Sequence, residues 1–158
     1  MKRIDNILSN DSYKSFVSYI EEKEKNRKFC CHGMEHCLDV ARIAYIISME
    51  EKMGIDKELI YAAALLHDIG RAMEYKDGSP HHETGAEIAG EILSHADFNG
   101  DEIKTICRAI ACHKSESAGN ELCSLLYRAD KLSRCCFRCE TYDECYWDEN
   151  MKNKTVLY

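Results

Sequence analysis

Apolar residues recur at helical spacing through most of the chain. The first stripe runs from Tyr13 to Ile20, and similar stripes follow between short polar or glycine-containing segments. A single proline and eight glycines, among many alanines, leucines, glutamates and lysines, favour helices over strands. The pattern predicts helices at about residues 11–25, 36–47, 56–70, 80–93, 101–113 and 120–134.

We therefore predict an all-helical fold, a compact bundle of about six or seven helices. A length of 158 residues fits one domain with a substantial hydrophobic core. The core is expected at about residues 30–134, and residues 135–158 form a cysteine-rich C-terminal extension. The charged run from Glu21 to Lys28 is interpreted as a solvated helix end.

The stretch of residues 62–71 places two metal-competent side chains, His67 and Asp68, at the end of an apolar helix. Asp56 is predicted to cap the start of this helix, and Gly70 to close it in the left-handed conformation. Both polar side chains project from apolar faces. A buried imidazole and carboxylate are costly unless paired, and a bound cation is one way to pair them. The alternative is a core histidine bonded to a neighbouring carboxylate.

Other predicted helices carry further candidate ligands. His36 heads an apolar stripe, His113 ends another helix, and Asp130 is directed inward or to a cleft. His81 and His82 both share faces with apolar residues, so periodicity cannot choose between them. Imidazole and carboxylate groups contributed by several helices suit iron, manganese, zinc or related divalent ions. A lone histidine on an apolar stripe can equally be an ordinary core residue.

The order and spacing of these residues resemble the HD superfamily of metal-dependent phosphohydrolases. The matching segments are His36-x-x-x-Val40-Ala41, Leu65-Leu66-His67-Asp68-Ile69-Gly70, His81-x-x-x-Gly85-Ala86, His113 and Ala129-Asp130. This resemblance implies that one metal is bound by His36, His67, Asp68 and Asp130. It also implies a second metal, bridged by Asp68 and bound by His81 and His113. His81 is preferred to His82 because only His81 keeps the family-like interval to Gly85.

The resemblance further implies hydrolysis of a nucleotide or another small phosphate ester by metal-activated water, with His67 and Asp68 as catalytic residues. One or two divalent ions (Fe, Mn, Zn, Mg or Ni) would serve as cofactors. The full histidine set is most similar to small bacterial HD proteins that cleave dinucleoside polyphosphates. Nucleotidase-like members carry a glutamate where this chain has Arg71, which weakens a deoxynucleotide monophosphatase interpretation.

Two cations are candidate substrate contacts. Arg71 follows the central helix and could clamp a phosphate with its planar donor fork, and Lys131 beside Asp130 could add a point charge. Two alternatives to a hydrolase remain open. One is a metal-binding HD sensor or binding module, and the other is a di-iron HD oxygenase.

Charge and hydropathy restrict the partners. A net charge of −7 gives no general attraction for nucleic acid or an anionic membrane, so the expected partner is a small phosphorylated molecule. The N-terminus lacks the apolar run of a secretory signal, and no segment approaches transmembrane length. A cytoplasmic location is expected, and the sequence does not indicate an oligomeric state.

Ten cysteines are many for a chain without export features, and we expect them to be reduced. Cys136-x-x-Cys139 has the spacing of thiolate metal sites, and Cys145 offers a third ligand. Cys30 or Cys31 could complete a structural zinc or iron–sulfur site if the two ends of the chain meet. The alternative is reduced thiols that pack a final turn with Tyr142, Tyr146 and Trp147.

Overall fold

The computed structural model describes residues 1–113 and 120–158, and its regular elements are all helical. The prediction of an all-helical fold is confirmed. Short helices at residues 2–9 and 71–77 add to the six that the pattern predicts. The α-helices are α1 (Lys2–Ser9), α2 (Asp11–Glu24), α3 (Met34–Glu50), α4 (Lys57–Leu66), α5 (Arg71–Asp77), α6 (His81–Ser94), α7 (Gly100–Cys112) and α8 (Glu121–Leu132), and short 3₁₀ turns follow at Cys136–Arg138, Tyr142–Glu144 and Glu149–Met151.

Helix α4 lies at the centre of the core. Ile60 and the residues from Ala62 to Leu66 are each at most 1% exposed. The helix packs against α1, α3, α7 and α8, and its alanines allow these neighbours to approach closely. Asp56 caps α4 as predicted, because its Oδ1 accepts the backbone N–H groups of Glu58 and Leu59 at 2.9 and 3.3 Å. Among the helices of the described residues, none combines the length and apolarity needed to cross a bilayer.

The end of α4 differs from the prediction. The helix ends at Leu66, and Gly70 has φ −66° and ψ −13°, which is right-handed backbone. Gly70 is required for a different reason: a Cβ built on it would lie 2.0 Å from the carbonyl oxygen of His81 and 2.5 Å from the amide nitrogen of Gly85. The turn after α4 and the start of α6 are therefore in backbone contact. This contact fixes His81 relative to His67 and Asp68.

The charged run of residues 21–28 is not entirely solvated. Glu24, in the middle of it, is 3% exposed, which corrects the interpretation of the whole run as a solvated helix end. Its carboxylate accepts the backbone N–H of His32 at 2.5 Å and the Tyr75 hydroxyl at 2.5 Å, and it lies 2.7 Å from His32 Nδ1. A buried carboxylate is tolerated when donors surround it in this way. Glu24 thus joins α2, the segment before α3, and α5.

Replacing Gly70 by alanine should destabilise the protein strongly. The added methyl group meets backbone atoms that cannot rotate away, so we expect a loss of about 3 kcal/mol or more in the free energy of unfolding. Gly90, within α6, is the matched control, since its Cβ would meet only the Cys107 sulfur at 3.6 Å. Gly90→Ala should be neutral or slightly stabilising in urea denaturation. Equal effects of the two substitutions would contradict the close-approach explanation.

Glu24 should make stability depend on pH at the acid end. Burial alone raises the pKa of Glu24, but the hydrogen bonds from His32 and Tyr75 outweigh it and lower the pKa from 4.5 to about 2. A carboxylate with a lowered folded-state pKa stabilises the fold above its unfolded pKa, and the stabilisation is lost as the pH falls toward the folded value. The shift corresponds to about 3 kcal/mol.

Glu24→Gln should therefore lower the free energy of unfolding by about 2–3 kcal/mol near neutral pH, and the difference from wild type should shrink as the pH falls from about 5 to about 3. Urea denaturation followed by circular dichroism measures this. The exposed Glu22 on the same helix provides the control Glu22→Gln, with little effect expected. A pH-independent difference would show that packing, rather than the carboxylate charge, explains the loss.

Candidate metal centre

Asp68 lies at the centre of four imidazole rings. Its Oδ2 is 3.2 Å from Nε2 of His67 and 3.7 Å from Nε2 of His36. Its Oδ1 is 3.7 Å from Nε2 of His81 and 3.8 Å from Nε2 of His113. Each carboxylate oxygen therefore faces two histidines. Two groups of three residues have ligand atoms within 4.8 Å of one another, and both contain Asp68: His36, His67 and Asp68, and Asp68, His81 and His113.

Helix ends bring these side chains together from distant parts of the chain. His36 lies in the first turn of α3, whereas His67 and Asp68 lie in the turn that follows α4. His81 is the first residue of α6, and His113 is the C-cap of α7. The apolar faces behind them pack in the core. Because each helix buries its apolar face in the core, the histidine at its end is directed inward.

Backbone carbonyl groups orient two of the rings. The Nδ1–H of His67 donates to the carbonyl oxygen of Ala64 at 2.7 Å. The Nδ1–H of His113 donates to the carbonyl oxygen of Ile110 at 2.5 Å. With a proton held on Nδ1, the Nε2 atom of each ring is directed toward Asp68 and toward any ion bound beside it.

Side chains orient the other two rings. His81 Nδ1 lies 3.0 Å from Glu74 Oε2. His36 Nδ1 lies 3.3 Å from the Ser133 hydroxyl. That hydroxyl donates its proton to the backbone carbonyl oxygen of Asp130. Neither Glu74 nor Ser133 was predicted as a site residue. Glu74 lies seven residues before His81, and the unpredicted helix α5 holds it there, so the sequence pattern offered no indication of its role.

The surroundings keep most of the rings neutral. Burial, with a contribution from His67, lowers the pKa of both His36 and His113 to about 4. Burial and the Arg71 guanidinium lower the pKa of His81. Burial would also lower the pKa of His67, but its contact with Asp68 outweighs burial and raises it. A neutral imidazole is the form that binds a metal ion.

The two acidic residues remain charged. Burial opposes ionisation of Asp68, but His67 and Arg71 outweigh it and hold the pKa of this carboxyl well below its usual range. Arg71 Nε donates to Asp68 Oδ1 at 2.8 Å, so a cationic side chain already balances part of the charge. Burial likewise opposes ionisation of Asp130, whereas His67 and Lys131 lower its pKa. The centre therefore offers two carboxylates together with the imidazoles of His36, His81 and His113, whose lowered pKa values favour the neutral form.

This donor set fits a divalent cation. Within the part of the chain that the structure describes, the buried Nε2 of His81 lacks a hydrogen-bond partner, although such an atom is costly to leave unpaired. A metal ion beside Asp68 Oδ1 would satisfy it. Imidazole nitrogen with carboxylate oxygen suits iron, manganese, zinc or nickel. His82 lies outside the cluster, with a side chain 30% exposed and its Nε2 3.9 Å from Glu83.

Asp130 lies at the edge of the cluster. Its Oδ1 is 3.5 Å from Nε2 of His36, and its Oδ2 contacts the ammonium group of Lys131. It is not part of either three-residue group, so it adjoins the His36 side of the centre without completing the set implied by the resemblance. Arg71 is similarly engaged, since its Nη1 lies 3.4 Å from Glu74 in addition to its bond with Asp68.

Two clefts open beside the centre. The larger, of about 740 Å³, is lined by His36, Asp130 and Arg71 and by aromatic and cysteine side chains of the C-terminal extension. The smaller, of about 400 Å³, reaches Asp68, His81 and His113 directly. Trp147 and Lys131 line both clefts. The larger volume lies within the range of small-molecule sites.

The candidate cysteines lie away from the histidines. Cys136 begins the first 3₁₀ turn of the extension, and Cys139 and Cys145 directly follow the first and second turns. All three line the larger cleft, as does Cys30. All ten cysteines are free thiols, as expected for reduced residues. Within residues 1–113 and 120–158, their sulfurs do not form a group of three within 4.8 Å of one another.

The chain belongs to the HD domain family, whose model matches residues 33–135. An uncharacterized protein of Clostridium beijerinckii is 43% identical over 158 residues, with all of both chains covered. Ribonuclease Y of Enterococcus faecalis is 33% identical over 101 residues, and the match covers 63% of this chain and 18% of that protein. The chain thus spans about a fifth of the ribonuclease Y sequence.

A solved structure supports the same assignment. The structure of a predicted HD superfamily hydrolase from an uncultured Thermotogales bacterium matches with a TM-score of 0.65 and 28% sequence identity. The match covers 88% of this chain and 80% of the other. The family resemblance seen in the sequence is therefore confirmed, and the fold is that of an HD-domain protein.

Two adjacent histidines provide a direct test of the metal centre. His81→Ala removes a buried ring that faces Asp68, whereas His82→Ala removes its neighbour outside the cluster. We expect His81→Ala to weaken binding of a divalent metal by at least about tenfold, and His82→Ala to leave it unchanged. Isothermal titration calorimetry with Mn²⁺ or Zn²⁺ measures the difference. Equal affinities of the two variants would exclude His81 as a ligand.

Proposed function

We propose that this protein is a metal-dependent phosphohydrolase that cleaves a phosphate ester or anhydride bond in a nucleotide or another small phosphorylated molecule. One observation carries the proposal: both oxygens of Asp68 face pairs of histidines beside clefts that are lined by cationic side chains. Membership of the HD domain family supports it.

His36, His67, Asp68, His81 and His113 would hold one or two divalent ions, with Asp68 between them and Asp130 adjoining His36. Bound there, such an ion supplies Lewis acidity toward phosphoryl oxygens and lowers the pKa of water. The protein contributes fixed ring orientations through the Nδ1 hydrogen bonds, so the donor atoms need little reorganisation. His67 and Asp68, at the middle of the centre, would be the catalytic pair.

The cations at the cleft suit an anionic substrate. Lys131 borders both clefts and contacts Asp130, and Arg71 borders both clefts and contacts Asp68. We propose that each donates to a substrate phosphate once a metal shares the negative charge of its carboxylate partner. Arg71 would do so with its planar guanidinium, and Lys131 as a point charge. These local cations would attract phosphate despite the net charge of −7.

Aromatic side chains favour a nucleotide over a simple phosphate ester. Tyr146 and Trp147 are stacked with ring centroids 5.6 Å apart, and Phe29 meets Tyr146 edge-on at 5.9 Å. All three line the larger cleft, together with His36 and Asp130. A base can stack on such rings while its phosphates extend toward the histidines. The cleft volume of about 740 Å³ lies within the range of small-molecule sites.

The proposed reaction should depend on Asp68. Purified protein would be supplied with Mn²⁺, Fe²⁺, Zn²⁺, Ni²⁺ or Mg²⁺ and assayed on nucleoside mono-, di- and triphosphates, dinucleoside polyphosphates, small phosphate esters and short RNA. RNA belongs in the panel because of the similarity to ribonuclease Y. Asp68→Ala should reduce phosphate or nucleotide release by at least about 100-fold and abolish tight metal binding, because both ion positions lose a shared ligand.

His82→Ala serves as the matched control and should retain activity, since this ring lies outside the cluster. Parallel assays with and without O₂ test the oxygenase alternative, because hydrolysis requires no oxygen. Metal-loaded protein that releases product from no substrate in the panel would overturn the hydrolase proposal in favour of a sensor or binding module. Oxygen-dependent turnover with iron alone would favour the oxygenase.

A further inference from the structure

The C-terminal extension lacks a hydrophobic core of its own. None of residues 135–158 is buried, and their regular structure consists of three short 3₁₀ turns. Even so, the extension contacts the segment that precedes α3. The Thr141 hydroxyl donates to the carbonyl oxygen of Lys28 at 3.1 Å, and Lys28 also pairs with Glu144. Small units of this kind usually depend on a metal or disulfides for a defined structure.

This contact brings cysteines from both ends of the chain together. Cys30, Cys136 and Cys145 line the larger cleft. The ring of Phe29, next to Cys30, meets the ring of Tyr146, next to Cys145, with centroids 5.9 Å apart. Cys139 lines the same region. Its backbone N–H donates to the Cys136 carbonyl oxygen at 3.1 Å, so the Cys136-x-x-Cys139 segment forms a tight turn.

The neighbouring cysteines Cys31 and Cys135 line the same cleft but have sulfur contacts of their own. The sulfur of Cys31 lies 3.9 Å from the carbonyl oxygen of Glu24. The sulfur of Cys135 lies 3.9 Å from the carbonyl oxygen of Ser133. These contacts favour Cys30 over Cys31 as a ligand, and the two adjacent cysteines serve as natural controls.

The guanidinium of Arg134 has a donor available for an anion in this corner. Among the described residues, its buried Nη1 lacks a hydrogen-bond partner, and the guanidinium carbon stacks on Trp147 at 4.0 Å from the ring centroid. Arg134 and Cys30 both line the larger cleft. A neutral thiol is a weak acceptor, whereas a metal-bound thiolate accepts hydrogen bonds and carries charge. Lys152 lines the same cleft and pairs with Glu149 at 2.9 Å.

We propose that Cys30, Cys136, Cys139 and Cys145 form a structural zinc site, separate from the histidine centre. Four thiolates around Zn²⁺ carry a net charge of −2, of which Arg134 would balance a part. Thiolates select zinc among the divalent ions, and four protein ligands leave no open position for chemistry. The sulfurs are not yet within coordinating distance of one another, so the side chains turn toward the ion as it binds. Binding releases the thiol protons to solvent.

The site would fix one wall of the substrate cleft. Trp147 follows Cys145 by two residues, and Arg134 precedes Cys136 by two residues. The Asn153 side chain donates to the carbonyl oxygens of Lys131, Leu132 and Arg134, which ties the extension to the end of α8. A zinc ion between Cys30 and these turns would therefore hold the aromatic wall against the helix that carries Asp130.

Cobalt and zinc binding to the reduced full-length protein test the proposal. Complete reduction is checked first by titrating ten thiols in the denatured protein. Co²⁺ should give a sulfur-to-cobalt charge-transfer band in the near ultraviolet, which a histidine and carboxylate site cannot give. The Asp68→Ala variant has a disabled histidine centre. In this variant, one equivalent of Zn²⁺ should displace the bound Co²⁺ and abolish the band.

Single substitutions locate the ligands. Cys30→Ser and Cys145→Ser should reduce zinc affinity at least 100-fold and weaken the band, whereas Cys31→Ser and Cys135→Ser should change neither. Absence of the band in fully reduced protein, or equal losses in the adjacent controls, would overturn the zinc site. Either result leaves the phosphohydrolase proposal intact, because that proposal rests on Asp68 and is tested by activity.

Discussion

The buried carboxylate of Asp68 is the constraint on which the rest of the structure depends. A charged group in the interior requires compensation from every side, and here four imidazoles and one guanidinium surround it. These partners come from the ends of several helices. The same arrangement that neutralises the carboxylate also assembles a set of metal donors, so the fold and the candidate site have one physical cause.

Close backbone packing makes this arrangement possible. Gly70 and Gly85 allow the turn after α4 to touch the start of α6, and that contact sets the position of His81. Behind the cluster, the alanines of α4 let the neighbouring helices approach, and Glu24 secures the segment before α3. The positions of the metal-donor side chains are therefore set by packing well outside the cluster. A helix displaced by even a side-chain width would separate the two oxygens of Asp68 from their histidines.

The sequence was informative where periodicity and residue type acted together. Helical stripes predicted the all-helical fold, and Asp56 predicted the start of α4. Periodicity left His81 and His82 equivalent, because both share faces with apolar residues, and the family resemblance favoured His81. In the structure, His81 faces Asp68 and His82 lies outside the cluster. Gly70 suggested a left-handed turn, whereas its role is steric. The buried charge of Glu24 and the support from Glu74 depend on contacts distant in the sequence, which no local pattern contains.

The larger cleft is lined by two parts of the chain. The HD family model ends at residue 135, and Tyr146 and Trp147, which line the cleft, lie beyond it. His36, which also lines the cleft, lies within the matched segment. Substitutions in the extension would therefore reshape one wall of the cleft while leaving the histidines around Asp68 untouched.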